Sequence, residues 1–129
     1  MRLIRLFPLL LLTALLAVPA HAQTLSLLCA WPKNPCCDTI YDIDLASGRV
    51  TWRSTRANSP TLGPATAQIT DQRISWNWQF AHNRRGVDNF VIDRIRGIST
   101  VCGPDPNNGK YECMDPQPCE PTSSVKPKF

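Results

Sequence analysis

The chain has 129 residues, with 14 Lys plus Arg against 10 Asp plus Glu, 12 prolines, six cysteines and a formal charge of +4. That length holds one domain with one modest core, and a second domain is not expected. The charge is too small to argue for nucleic acid or an acidic membrane surface as partner.

At the N-terminus, Met1, Arg2 and Arg5 precede a largely apolar run from Leu6 to Val18, and Ala20-His21-Ala22 follows it. A basic start, a short apolar stretch and small residues flanking a cut are the grammar of a secretory signal peptide, so residues 1–22 are expected to be removed after Ala22. The run is shorter than the roughly 18–20 apolar residues that span a bilayer, and no membrane anchor is expected after cleavage. Leu28 precedes Cys29, which does not suit a lipoprotein acceptor, and Arg2 and Arg5 are not adjacent, as a twin-arginine signal needs. Losing those two arginines brings the formal charge from +4 to +2. The expected location is outside the cytosol, periplasmic or secreted.

The segment Thr24 to Cys29 reads as a short strand, and Pro32 to Cys37 as an irregular, cross-linked loop over which Trp31 packs. Tyr41, Ile43 and Leu45 alternate with Asp42 and Asp44. Ala46-Ser47-Gly48 then turns the chain into Arg49-Val50-Thr51-Trp52-Arg53, the clearest hairpin in the sequence. Ser54 to Pro64, with two prolines and a glycine, is expected to be a long loop. Ala67 and Ile69 lead through a turn at Asp71-Gln72 into Ile74, Trp76, Trp78 and Phe80 at strict period two, the pattern of a strand with one buried face. After a turn at His82 to Gly86, Asn89 to Ile98 reads as one further strand, with Gly97 at a bulge or at its end. A last short strand is placed at Lys110 to Cys113. The architecture expected is mainly β, an antiparallel small sandwich or half-barrel stapled by disulfides, over residues 23–119, with a flexible Pro/Ser/Lys tail at 120–129.

Cys29, Cys36, Cys37, Cys102, Cys113 and Cys119 form one cluster of three before the first clear hairpin and one after the last strand of the core. An even number in a short exported chain reads as a disulfide framework. Bridges between the two clusters would close long loops, each contributing on the order of 4 kcal/mol in the chain-entropy model. Spacing does not select among the pairings. Cys29 with Cys113 is the pairing favoured here, and a bond between the neighbours Cys36 and Cys37 is not expected, because adjacent side chains seldom meet disulfide geometry. A zinc site lacks the Cys-x-x-Cys or His/Cys spacing it needs.

Ala67-Gln68-Ile69-Thr70, Ile74-Ser75-Trp76 and Phe90-Val91-Ile92-Asp93-Arg94-Ile95-Arg96-Gly97 follow one another at suggestive distances. Between about Ile40 and Cys113 the chain resembles a loose group of small exported proteobacterial proteins of unknown function. They share an Ala-x-Ile-Thr … Ile-x-Trp pair and a Phe-x-Ile-Asp-Arg-x-x-Gly strand. The resemblance implies export and a β fold, and brings no catalytic residue with it.

Two readings attach to each candidate site. Trp52, Trp76 and Trp78 would make an aromatic platform for sugar rings or prolines if exposed; strict alternation with Ile74 and Phe80 favours ordinary core packing. Arg84, Arg85, Arg94 and Arg96 would hold a carboxylate or phosphate if they converged; a salt-bridged solvent face with Asp88 and Asp93 is the simpler account. His82, the sole histidine after residue 22, has no local Ser, Asp or Glu that marks it as an acid or base, so it reads as a turn residue. Asp42 and Asp44 lie two apart on one strand face and serve solubility more simply than glycoside hydrolysis. No catalytic or cofactor motif appears. The expected function is therefore non-enzymatic binding of a protein or cell-envelope component, for example by inserting the Ser54 to Pro64 loop or the Cys102 to Cys119 segment into a hydrolase. Binding of a carbohydrate or other small ligand by the Trp-rich strand is the alternative, and an unrecognised enzyme, with His82 and the arginines as its only support, is a further one.

Overall fold

The computed structural model describes residues 23–122. The expected signal peptide and residues 123–129 of the expected tail lie outside them. Ten antiparallel strands follow in chain order: β1 (Thr24–Cys29), β2 (Thr39–Asp44), β3 (Arg49–Ser54), β4 (Leu62–Thr66), β5 (Gln68–Ile69), β6 (Arg73–Trp78), β7 (Asp88–Asp93), β8 (Ile98–Pro104), β9 (Tyr111–Cys113) and β10 (Gln117–Pro121). They form one sheet in the order β4-β3-β2-β1-β10-β8-β7-β6-β5, with β9 on β8. The sheet's two end strands, β4 and β5, are consecutive in the chain with Ala67 alone between them, so the sheet must curl until its ends nearly meet. The result is a nearly closed half-barrel.

Period-two alternation puts one side chain in two inside. Tyr41 and Ile43 of β2, Val50 and Trp52 of β3, Ile74 and Trp76 of β6, and Phe90 and Ile92 of β7 are buried in one cluster with Leu27 and Cys29 of β1. Burying each large apolar side chain contributes on the order of 1.5–3 kcal/mol. The aromatic centre is tightly meshed. Trp76 stacks on Phe90 with ring centroids 5.0 Å apart, meets Tyr41 edge-on at 5.5 Å, and lies 5.7 Å from Trp52.

Burial pushes the Tyr41 phenol above its ordinary 10.0, with the Ser99 hydroxyl pulling the other way. The folded state keeps a proton that the unfolded chain releases near pH 10.0, so this contribution is fully present below that pH and is lost as pH rises beyond it. Denaturant midpoints measured on either side of pH 10.0 are expected to fall more steeply for the parent protein than for Tyr41→Phe. Equal slopes would show that this phenol does not govern the alkaline limit.

The two halves of the barrel repeat one plan at an offset of 49 residues: Thr24 and Arg73 begin β1 and β6, Thr39 and Asp88 begin β2 and β7, and Arg49 and Ile98 begin β3 and β8. Registers repeat with them. Thr24 faces Asp44 as Arg73 faces Asp93, and Ile43 faces Val50 as Ile92 faces Ser99. The tight turns share their chemistry. Asp44 Oδ1 accepts the backbone N–H groups of Ala46 and Ser47 at 2.9 and 3.3 Å, and Asp93 Oδ1 those of Ile95 and Arg96 at 3.0 and 2.9 Å. These bonds, that of Ala46 foremost at Asp44 and that of Arg96 at Asp93, hold both carboxyls below the usual 3.8. Gly48 and Gly97 close the two turns at φ of 76° and 67°, where a side chain is strained.

Several expectations are corrected. The run Asn89 to Ile98 is not one strand: Asp93 and Gly97 build a turn that divides it into β7 and β8. Arg94 and Arg96 therefore sit on that turn and not on a strand face. The long loop narrows to residues 55–61, because Leu62–Thr66 pairs with β3. Residues 120 and 121, placed in the expected tail, belong to β10, and Thr122 Oγ1 donates to Ser26 O.

The disulfides are Cys29–Cys119, Cys102–Cys113 and Cys36–Cys37. The favoured pairing of Cys29 with Cys113 fails on register. Cys29 lies opposite Cys119 across β1 and β10, and Cys102 opposite Cys113 across β8 and β9. Those pairings leave Cys36 and Cys37 to each other, against the expectation for neighbours.

Candidate binding cavity at the long-loop end

Successive strands alternate in direction, so loops 30–38, 55–61, 79–87 and 105–110 leave the barrel at one end and turns 45–48, 70–72 and 94–97 at the other. The turn end is spent on backbone hydrogen bonding. Loops long enough to shape a site are confined to the opposite end, where binding residues on rigid scaffolds concentrate.

Loop 30–38 is fixed at both flanks: Ala30 N–H donates to Pro118 O at 2.9 Å, and Thr55 N–H to Asp38 O at 2.7 Å. Asp38 Oδ1 reaches back to accept the Trp31 backbone N–H at 3.1 Å. Between these ties runs a short 3-10 turn, Pro35–Cys37, whose two cysteines are joined. Across from it, the chain crosses from β9 to β10 through Asp115 and Pro116. The space between is a cavity of about 640 Å³ lined by Trp31, Pro32, Lys33, Asn34, Cys37, Asp115 and Pro116. Lys33 Nζ stands 3.4 Å from Asp115 Oδ2 across its rim, both side chains largely in water.

The two repeats differ at this loop. In the second half, Asn83 occupies the place of Asn34 and is buried, its Nδ2 donating to Pro104 O at 2.8 Å. Arg85 adds bonds from Nε to Pro106 O and from Nη2 to Asn107 O, at 3.2 and 3.3 Å. These bonds clamp loop 79–87 onto loop 105–110. In the first half Asn34 is exposed, Pro35-Cys36-Cys37 replaces Arg84-Arg85-Gly86, and Trp31 replaces Phe80. Among the described residues, no side-chain bond equivalent to the arginine clamp joins loop 30–38 to loop 55–61.

Of the residues singled out from the sequence, Trp52 and Trp76 lie inside the barrel, each about 4% exposed, and offer no open face to a ligand. Trp78 packs partly buried against that core, edge-on to Trp52 at 5.3 Å. The four arginines do not converge. Arg84 and Arg85 belong to the long-loop end, Arg94 and Arg96 to the opposite turn end. Arg94 Nη1 is taken up by Thr70 O at 2.8 Å, and Arg96 Nε by Asp93 Oδ2 at 2.7 Å. His82 shares a smaller hollow with Asp88 and Glu112. Burial raises the Asp88 carboxyl above its ordinary value while the charge of His82 opposes that, and among the described residues neither carboxylate is ion-paired to the ring. Asp42 accepts a 2.6 Å hydrogen bond from Ser26 Oγ, and Asp44 caps its turn.

Trp31, Asn34 and Asp115 were not marked by the sequence reading. No family model, curated protein or solved structure matches the chain.

Proposed function

We propose that the chain is an exported, non-catalytic binding module of the periplasm or the extracellular space, directed at a cell-envelope component or a protein. The observation that carries this reading is the cavity at the long-loop end, rimmed by a neutral pair of charges and held on a disulfide-braced barrel. A rigid site of this kind loses little conformational entropy when it binds. Three disulfides are the cysteine usage of a protein of an oxidising compartment. The expected signal peptide supplies the route there.

The test is capture. Oxidised protein spanning residues 23–129 is immobilised and exposed to envelope and secreted fractions, with the reduced protein as control. Stoichiometric retention of one protein or one envelope polymer by the oxidised form alone is the expected result. Repeatedly empty captures from both fractions would overturn the reading.

A further inference from the structure

The cavity's chemistry narrows its occupant. Four of its lining residues are weakly polar: Trp31, Pro32, Pro116 and Cys37. Its rim carries hydrogen-bonding groups of both kinds, the Lys33 ammonium as donor, the Asp115 carboxylate as acceptor, and the Asn34 amide. Cys36 Sγ lies 2.8 Å from Asn34 Oδ1 but, bonded to Cys37, has no hydrogen to give, so the amide keeps both its acceptor and its donors.

Charge excludes the ionic alternatives. Lys33 and Asp115 face each other at 3.4 Å, so the rim has no net charge with which to hold an anion or a cation. The separation is long and both groups are well hydrated, so each keeps hydrogen-bonding capacity for a third partner. A wholly apolar ligand would strip water from these groups and give nothing back. What remains is a neutral molecule with an apolar face and a polar edge. Its volume must suit a cleft of about 640 Å³, within the ordinary range of small-molecule sites. A pyranose ring meets each condition: axial C–H groups make a flat apolar face that stacks on indole, and equatorial hydroxyls ring its edge as donors and acceptors.

We infer that the cavity between loop 30–38 and Asp115-Pro116 is a saccharide site, taking a neutral pyranose against Trp31 with its hydroxyls on Asn34, Lys33 and Asp115. This deepens the binding-module reading and rests on it. The same chemistry is offered by a free sugar and by a residue of an envelope glycan.

Isothermal titration and saturation-transfer NMR test it, using the oxidised protein and the methyl glycosides of glucose, galactose and N-acetylglucosamine, with their β-linked disaccharides. Benzoate and benzylamine serve as charged aromatic probes. The expected result is saturable binding of at least one saccharide, with transfer concentrated on ring C–H protons. Trp31→Ala is expected to weaken it about tenfold or more, and Trp31→Phe by less. Lys33→Met, at a site too exposed to disturb the fold, weakens it without moving the melting temperature. Competition between the free sugar and captured envelope polymer distinguishes the two sources. The inference is overturned if no saccharide binds, if only a charged aromatic probe does, or if Trp31→Ala and Lys33→Met both leave the affinity unchanged. An envelope partner captured as described above, with no sugar binding, would sink the saccharide assignment and leave the binding module standing.

Discussion

Replacing Cys29 and Cys119 together by alanine is expected to lower the unfolding free energy by roughly 4–5 kcal/mol, the largest loss available from one cross-link in this chain. The bond spans 90 residues and joins the first strand to the last, so removing it frees nearly the whole unfolded chain. Cys102 and Cys113 are 11 residues apart, and the same chain-entropy argument gives about 3 kcal/mol for removing them. A domain of this size has only about 5–15 kcal/mol in total, so the first variant stands near the threshold of folding and the second does not. Urea unfolding of both pairs, with the remaining disulfides intact, measures the difference. Equal losses would mean that local packing, not loop closure, sets the contribution of these bonds.

Trp76→Ala is expected to cost about 3–5 kcal/mol, in the range for truncating a large buried aromatic side chain. Trp76 touches rings from three other strands, Tyr41, Trp52 and Phe90, so the void opens at the centre of the barrel, where neighbours on a paired sheet cannot collapse into it. Trp76→Phe separates shape from polarity. The indole Nε1 is buried with no hydrogen-bond partner among the described residues, and phenylalanine keeps an aromatic ring while removing that unsatisfied donor. Its loss is therefore expected to be well under half that of alanine. Chemical denaturation of the two variants decides the point, and a phenylalanine variant as unstable as the alanine one would show that indole volume is the whole effect.

Local pattern made most of this fold legible. Ile74, Trp76 and Trp78 at period two, and Tyr41 and Ile43 against Asp42, state which side faces in, because strand geometry turns alternation directly into burial. The division of residues 89–98 was harder to read. Phe90 to Ile98 is apolar enough for a single strand, and only the carboxylate of Asp93, placed two and three residues before two backbone N–H groups, shows that the chain turns. The repeat held that information. Ile43-Asp44 and Gly48 followed by Thr51 recur as Ile92-Asp93 and Gly97 followed by Thr100, so the plain hairpin of the first half could have been carried to the second.

Disulfide pairing was not legible for a different reason. The partner of Cys29 depends on the register of β10 against β1, a contact between distant parts of the chain that no local spacing encodes. The cavity was hidden in the same way. Trp31 and Asp115 come together only because the crossover from β9 to β10 passes the top of β1, and a void between two segments leaves no mark on either. The Trp-rich strand drew attention because aromatic residues are conspicuous. The barrel buries two of those three indoles, while Trp31, in an irregular loop, borders the open cleft.

The pairing of β1 with β10 also sets a schedule for folding. Apart from β8 with β10, which are separated only by β9, every other adjacency in the sheet joins strands that follow one another along the chain, whereas β1 keeps one edge unpaired until Pro121 has been synthesised and delivered. Each meander of three strands can assemble as it emerges, but the seam is sealed last, and the bond between Cys29 and Cys119 can form only then. A truncation that stops at Cys113 would keep both repeats' hairpins and the Cys102–Cys113 bond, yet present a long open β edge to its neighbours, the condition under which sheet proteins join edge to edge and aggregate.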